Sequence, residues 1–316
     1  MTKEFENLLE LLKSNNSDNV KLGLQVAQNY KSEFEAYFGC SIREYKTMDA
    51  LFLVDDGDEW DENPIFLLSE RTEIFLTDKD VTQIPNGLKV FQKALKGDFS
   101  YSLLEKLPKE IGELKKMIDL SICYTKLKEI PKEIGDLTNL EYLYLMGNEL
   151  KKLPKEIGDL NKLEILRLEQ NSLKTFPNEI ENLNSLTFLD LSYNKIEKFP
   201  TEVQNLQMLE NFFLTDNEFT TFPNELKNLV SLKRLGLCGN KIENLVIDCS
   251  KFEKLEELFL QGNPLQNLPT EIGKLKSLRI LFLDGKQVEK FSNEIDEIKK
   301  INPKLSIVGN EDDLPY

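Results

Sequence analysis

The chain has 316 residues, 40% of them hydrophobic and 30% charged, with a formal net charge of −15. That composition excludes a disordered polymer, and the negative charge opposes binding to nucleic acid and to anionic membranes, both of which need phosphate charge neutralised. Histidine is absent, which removes Ser-His-Asp and Cys-His nucleophile chemistry, His-ligated zinc and the usual general base near neutral pH.

The N-terminal stretch "MTKEFENLLELLKSNN" mixes acids into a helical period. It has neither the basic start nor the uninterrupted apolar stretch of a signal peptide, and no apolar run approaches the ~20 residues of a membrane span. A cytoplasmic protein is expected. Phe5, Leu8, Leu9 and Leu12 fall at i, i+3, i+4 and i+7 and predict an amphipathic helix. Asp18 is placed to cap a second helix carrying Val20, Leu24 and Ala27, and Phe34, Tyr37 and Phe38 predict a third. The acidic run "DDGDEWDEN" at 55–63 lacks the spacing of a calcium loop and reads as solvated. "IFLL" at 65–68 reads as a strand. Residues 1–70 are thus expected to form a helical N-terminal capping region.

From residue 71 to 300 the chain repeats every 23 residues, in ten blocks without insertion or deletion. Leucine opens seven of them, at Leu140, Leu163, Leu186, Leu209, Leu232, Leu255 and Leu278. Each block reads L-x-x-L-x-L-x-x-N-x-L-x-x-L-P-x-x-I-x-x-L-x-x. Of the 70 apolar slots only Arg71 and Gly97 are not hydrophobic, where about 28 would be filled by chance, so the register is not an accident of composition. Periods of this length mark stacked supersecondary units that are stable only together. The L-x-x-L-x-L segment alternates as a half-buried strand does. The ninth slot, Asn148, Asn171, Asn194, Asn217, Asn240 and Asn263, supplies amides for a turn whose backbone is cut off from water. Pro154 stiffens the return bend, and Gly158, like Gly112, Gly135 and Gly273, permits a close backbone approach or a positive φ. After the repeats, Leu305–Val308 reads as a last edge strand within a C-terminal cap and tail, 301–316.

This pattern resembles the leucine-rich repeat, specifically the 23-residue Ras-suppressor type with LPxEIGxL endings that many bacterial proteins carry. The resemblance implies an α/β solenoid, a horseshoe with a parallel sheet on its concave side, whose role is binding rather than catalysis. Blocks 71–93 and 94–116 depart from the consensus, as do Val246 and Ser292 where proline is expected.

In such a coil the third and fifth slots of each block point out of the core and should be wet. There the sequence places Tyr142, Tyr144, Arg167, Phe188, Asp190, Phe213, Arg234, Phe259 and Phe282, residue types enriched at interface centres. These nine are the expected partner-contacting set. The expected function is a non-catalytic protein-interaction module that binds a protein or peptide, with a basic partner favoured by charge. The alternatives are an exported bacterial host-interaction or adhesion factor using the same surface, and a receptor for sugar or lipid. No catalytic residue, cofactor or metal ligand set is expected. Cys123 and Cys238 lie five blocks apart, on the order of 24 Å at strand spacing, too far to pair. Cys249 occupies an apolar slot, and Cys40 has no candidate base.

Overall fold

The computed structural model describes residues 2–12, 17–38, 41–43, 72–76, 80–84 and 87–309. The acidic run at 55–63, the "IFLL" strand at 65–68, Cys40 and the tail at 311–316 lie outside them. The fold is an α/β solenoid with a parallel sheet and a helical N-terminal cap, and the chain divides into two compact units, Met1–Tyr142 and Leu143–Tyr316.

The first unit opens with helices α1 (Lys3–Leu12), α2 (Ser17–Val26) and α3 (Lys31–Phe38). α1 buries the four residues its periodicity picks out, Phe5, Leu8, Leu9 and Leu12. Asp18 lies in the first turn of α2 rather than before it, where its charge still complements the helix dipole. Phe34 and Phe38 are buried on α3, while Tyr37 is exposed and meets the edge of the Phe5 ring at 6.0 Å. Strands β1 (Glu73–Phe75), β2 (Lys96–Asp98) and β3 (Asp119–Ser121) follow, each three residues long and paired in parallel with its neighbour. Partners such as Glu73↔Lys96 and Lys96↔Asp119 differ by the sequence period of 23.

β4 (Tyr142–Tyr144) contains the division between the units. In the second unit the series continues through β5 (Ile165–Arg167), β6 (Phe188–Asp190), β7 (Asn211–Phe213), β8 (Arg234–Gly236), β9 (Glu257–Phe259), β10 (Ile280–Phe282) and β11 (Ser306–Val308). All pair in parallel, in chain order. From Ala94 to Leu283 the repeating apolar slots are buried, Cys249 being the one half-buried exception.

From β2 to β9 each strand runs into a tight turn at the eighth slot. Its residue is left-handed in eight successive blocks: Tyr101 and Tyr124 in the first unit, then Gly147, Gln170, Tyr193, Asp216, Gly239 and Gly262 in the second. The asparagine that follows ties the turns together. Asn171 Nδ2 donates to Leu168 O in its own block and to Leu145 O in the preceding one, and its Oδ1 accepts from Leu150 N. Asn194, Asn217 and Asn240 repeat that arrangement. Each solves the same problem, since these buried backbone groups have no strand partner and no water.

The return limb explains the recurring Pro-Lys-Glu-Ile-Gly phrase. Pro154 sits extended at φ −67° and its carbonyl accepts from Ile157 N, opening a 3-10 turn over Lys155–Asp159. Gly158 is required by close approach and not by a positive φ: a Cβ there would lie 2.3 Å from the Glu179 carbonyl oxygen of the next return limb. The same holds for Gly112, 2.6 Å from Glu133 O.

Two blocks depart from this scheme. Between β8 and β9, Val246 replaces proline and stands 70% exposed, and no 3-10 turn forms. An Asp248 side chain accepting from Ser250 N shapes that limb instead, which leaves Cys249 half-buried rather than in the core. In the last block the return limb is helical: α4 (Gly285–Lys290) and α5 (Ser292–Ile301). A capping box of Asp284 and Gln287 starts α4, and Phe291, Ile295 and Ile298 form the buried stripe. Lys286 stands where the asparagine would be, and Gln287 takes over, donating to Leu260 O and Asn263 O. β11 closes the sheet at Ser306–Val308, one residue shorter than the expected Leu305–Val308.

Candidate functional site

The open face of the second unit's sheet is built from the third and fifth slots, as the alternation requires. The third slots, Ile165, Phe188, Asn211, Arg234, Glu257 and Ile280, are half-exposed. The fifth slots are not all wet. Arg167 is half-exposed, but Asp190, Phe213, Phe259 and Phe282 are buried, the last three at 8%, 1% and 9% exposure. Neighbouring side chains cause this. Phe259 and Phe282 stack at 4.2 Å, and Phe188 and Phe213 lie 5.6 Å apart. Gly236 leaves room for the Phe213 ring, whose Cδ1 would be 2.8 Å from a Cβ at that position. With Cys238 these rings form a second apolar cluster on the open face, flanked by Phe188, Ile280 and Val308. Phe213, Phe259 and Phe282 therefore stiffen the sheet surface, and of the nine expected residues those left accessible in the second unit are Tyr144, Arg167, Phe188 and Arg234. Tyr142, half-buried, ends the first unit.

Charge is concentrated at one end of this face. Arg167 Nη2 lies 2.7 Å from Glu169 Oε1 and 4.0 Å from Asp190 Oδ2, while its guanidinium carbon sits 5.8 Å from the Phe188 ring centroid. One guanidinium thus serves two buried carboxylates. Burial pushes the Glu169 carboxyl up from its ordinary range and the Asp190 charge adds to this, with Arg167 opposing. Burial likewise raises Asp190, against hydrogen bonds from Ser192. Arg167 Nε and Glu169 Oε2 are buried without a hydrogen-bond partner. Further along, Arg234 Nε donates to Glu257 Oε2 at 2.7 Å and the guanidinium stands 5.6 Å from the Phe213 centroid.

Glu169 was not among the residues expected from the sequence. It lies in the seventh slot, which from Ser100 to Gln261 otherwise holds uncharged side chains such as Cys123, Ser192, Thr215 and Cys238. That break in the column was the available signal.

Among the described residues the thiols offer no nucleophile. Burial pushes Cys238 up to about 12 and Cys249 up to about 11, and Cys123 is buried. Among the described residues no group of three or more cysteine or carboxylate side chains could hold a metal ion, and no helix is long and apolar enough to cross a membrane.

Repetition, turn geometry and asparagine ladder agree with the comparison to known families. A leucine-rich repeat region matches residues 100–187 and 155–263, which together span more than half of the chain, and a further leucine rich repeat matches 254–275. The chain belongs to the leucine-rich repeat family. Among solved structures it is similar to a leucine-rich repeat protein of Leptospira interrogans, at 28% identity over 72% of this chain and 75% of that one, with a TM-score of 0.35. It is also similar to the ectodomain of the plant membrane receptor kinase GASSHO1/SCHENGEN3 from Arabidopsis thaliana, in complex with Casparian strip integrity factor 2: 22% identity over 77% of this chain and 35% of that one, TM-score 0.58. Internalin C2 of Listeria monocytogenes is 16% identical over 76% of this chain and 91% of that one, TM-score 0.52. No curated protein matches significantly. The last two likenesses extend the fold assignment and nothing more.

Proposed function

We propose that the protein is a non-catalytic interaction module that takes a protein or peptide partner on the open strand face of its second unit. The carrying observation is the cluster of Arg167, Glu169 and Asp190, where two buried carboxylates share one guanidinium and two polar atoms stay unpaired. Unpaired buried polar atoms call for an explanation. On a face rimmed by Tyr144 and Phe188, a partner supplying a donor to Glu169 Oε2 and an acceptor to Arg167 Nε provides it. The surplus negative charge favours a basic group in that partner. A plant receptor ectodomain of similar fold, in complex with Casparian strip integrity factor 2, is consistent with this use of the architecture. In this reading residues 1–70 cap the solenoid, 71–300 are ten repeats of the Ras-suppressor type, and 301–316 close it, in a bacterial protein of the cytoplasm.

The test is capture of partners from a lysate of the source cell by the wild type and by a Tyr144→Ala, Arg167→Ala, Phe188→Ala triple variant of unchanged circular dichroism and melting temperature. Loss of a captured protein by about tenfold or more with the variant supports the strand face, since several interface-centre truncations together exceed ~1.4 kcal/mol. Equal capture rejects it.

A further inference from the structure

A second site lies beside the strand face, where the strands run into their turns. It follows from one departure in the repeat. At the eighth slot Tyr193 and Asp216 carry side chains, but the last three blocks have Gly239, Gly262 and Gly285. Gly239 and Gly262 keep the left-handed turn that the earlier side chains also adopt. At Gly239 and Gly262 the turn is therefore unchanged and only the side chain is gone, while at Gly285 helix α4 begins. What remains is a groove of about 710 Å³ with these glycines in its floor, within the ~300–1,000 Å³ usual for ligand sites. Thr215 and Asp216 bound one end, and Lys286 and Glu289 of α4 the other.

Two features of the lining define what would fit. Asp216, Asp284 and Glu289 outnumber Lys286. Asp284 is already engaged, accepting from Gly262 N through Oδ2 and from Gln287 N through Oδ1, while Asp216 is exposed and bonded to the Tyr193 hydroxyl. Gln261 supplies the second feature. It lines the groove at 6% exposure, its Oε1 accepts from the Cys238 thiol at 3.0 Å, and its Nε2 is buried with no acceptor. An orphaned amide donor of this kind costs about 1–3 kcal/mol until an acceptor arrives. The groove thus presents one unused donor at its base and surplus negative charge at its ends. Carboxylate and phosphate ligands fit poorly, and no cluster among the described residues suits a bare metal ion. From Asp216 to Gly285 the groove crosses three strand spacings, about 14 Å, the reach of about four extended residues.

We propose that the groove binds an extended peptide segment bearing an arginine or lysine, with a peptide carbonyl accepting from Gln261 Nε2 and the cationic side chain set among Asp216, Glu289 and Asp284. This rests on the reading of the chain as a protein-binding module and adds to it the chemistry of the bound segment.

The test uses the full-length, ¹⁵N-labelled protein titrated to millimolar concentration with acetyl-Gly-Arg-Gly-Gly-amide and with its neutral citrulline counterpart. The arginine peptide should shift the Gly239 and Gly262 amides and the Gln261 side-chain amide. Citrulline should bind about tenfold more weakly, as should the arginine peptide to Glu289→Lys, a change at an exposed helix position, since loss of one charge contact is worth about 1.4 kcal/mol. Gln261→Met, close in volume, should weaken both peptides alike. Equal binding of the two peptides, shifts confined to the Tyr144–Phe188 strand face, or no shift at all overturns the proposal. The strand-face triple variant should bind the arginine peptide as the wild type does, so failure of that surface in partner capture and failure of the groove in this titration are separate results.

Discussion

Removing one rung of the asparagine ladder should cost a definite and local amount. Asn194 Nδ2 donates to Leu168 O at 2.9 Å, to Leu191 O at 3.0 Å and to Ser192 O at 3.2 Å, and its Oδ1 accepts from Leu173 N at 2.9 Å. In Asn194→Ala the first two carbonyls are not abandoned: Leu168 O still accepts from Asn171 Nδ2 and Leu191 O from Asn217 Nδ2. Leu173 N loses the side-chain acceptor it had. One stranded buried donor costs about 1–3 kcal/mol. The missing amide leaves a void on the order of 40 Å³, about 1 kcal/mol at roughly 24 cal/mol per Å³. The loss should therefore be about 2–4 kcal/mol, read from urea denaturation followed by circular dichroism, with hydrogen exchange at the Leu173 amide accelerated beyond its neighbours. Asn194→Asp should cost more, because it keeps the acceptor but turns a carboxylate toward three carbonyl oxygens. A loss below about 1 kcal/mol with the Leu173 amide as protected as before would show that the ladder is decorative and that stacking of the apolar slots carries the coil alone.

Gly158→Ala should destabilise by about 1–3 kcal/mol, the usual cost of overpacking, because its Cβ would meet the Glu179 backbone at 2.3 Å. Gly285→Ala, with its nearest atom 3.8 Å away, should stay within about 0.5 kcal/mol in the same thermal melts. The buried Glu169 and Asp190 carboxyls, both raised, bind protons more tightly folded than unfolded. Between their ordinary values and their raised ones they make stability fall as pH rises. Glu169→Gln should make that slope less negative in melts taken from acid to neutral pH, and an unchanged slope would remove the cluster as a source of stored electrostatic cost.

The coil was legible in the sequence because its determinants are periodic. Leu166, Leu168, Leu173 and Ile180 are buried for the reason their counterparts 23 residues away are buried, so each block repeats the evidence for the others. The choice of close approach over positive φ at Gly158 was not legible, since glycine permits both and only the neighbouring Glu179 carbonyl decides. The positive-φ column one turn away was concealed for a related reason: its occupants include Tyr101, Tyr124, Gln170 and Tyr193, side chains that rarely adopt it. The burial of Phe213, Phe259 and Phe282 was hidden too. Alternation says which way a side chain points, but whether it stays wet depends on its lateral neighbours, here other rings and the space above Gly236.

A repeat separates two kinds of residue that ordinary folds mix. Whatever recurs at 23 is accounted for by the need to stack, and so carries little information about function. Departures that the stack tolerates but does not need are where function is written. Glu169 interrupts a column that is otherwise uncharged from Ser100 to Gln261 and brings an unbalanced carboxylate into the sheet surface. Gly239, Gly262 and Gly285 end the run of side chains at Gln170, Tyr193 and Asp216, the first two keeping the left-handed turn, and line a groove together with the unpaired Gln261 amide. Beside each departure a buried polar atom stays unsatisfied, at a cost of about 1–3 kcal/mol. That both persist at the surface of one unit, each with charge of the same sign around it, is the physical ground for expecting a basic partner that satisfies them.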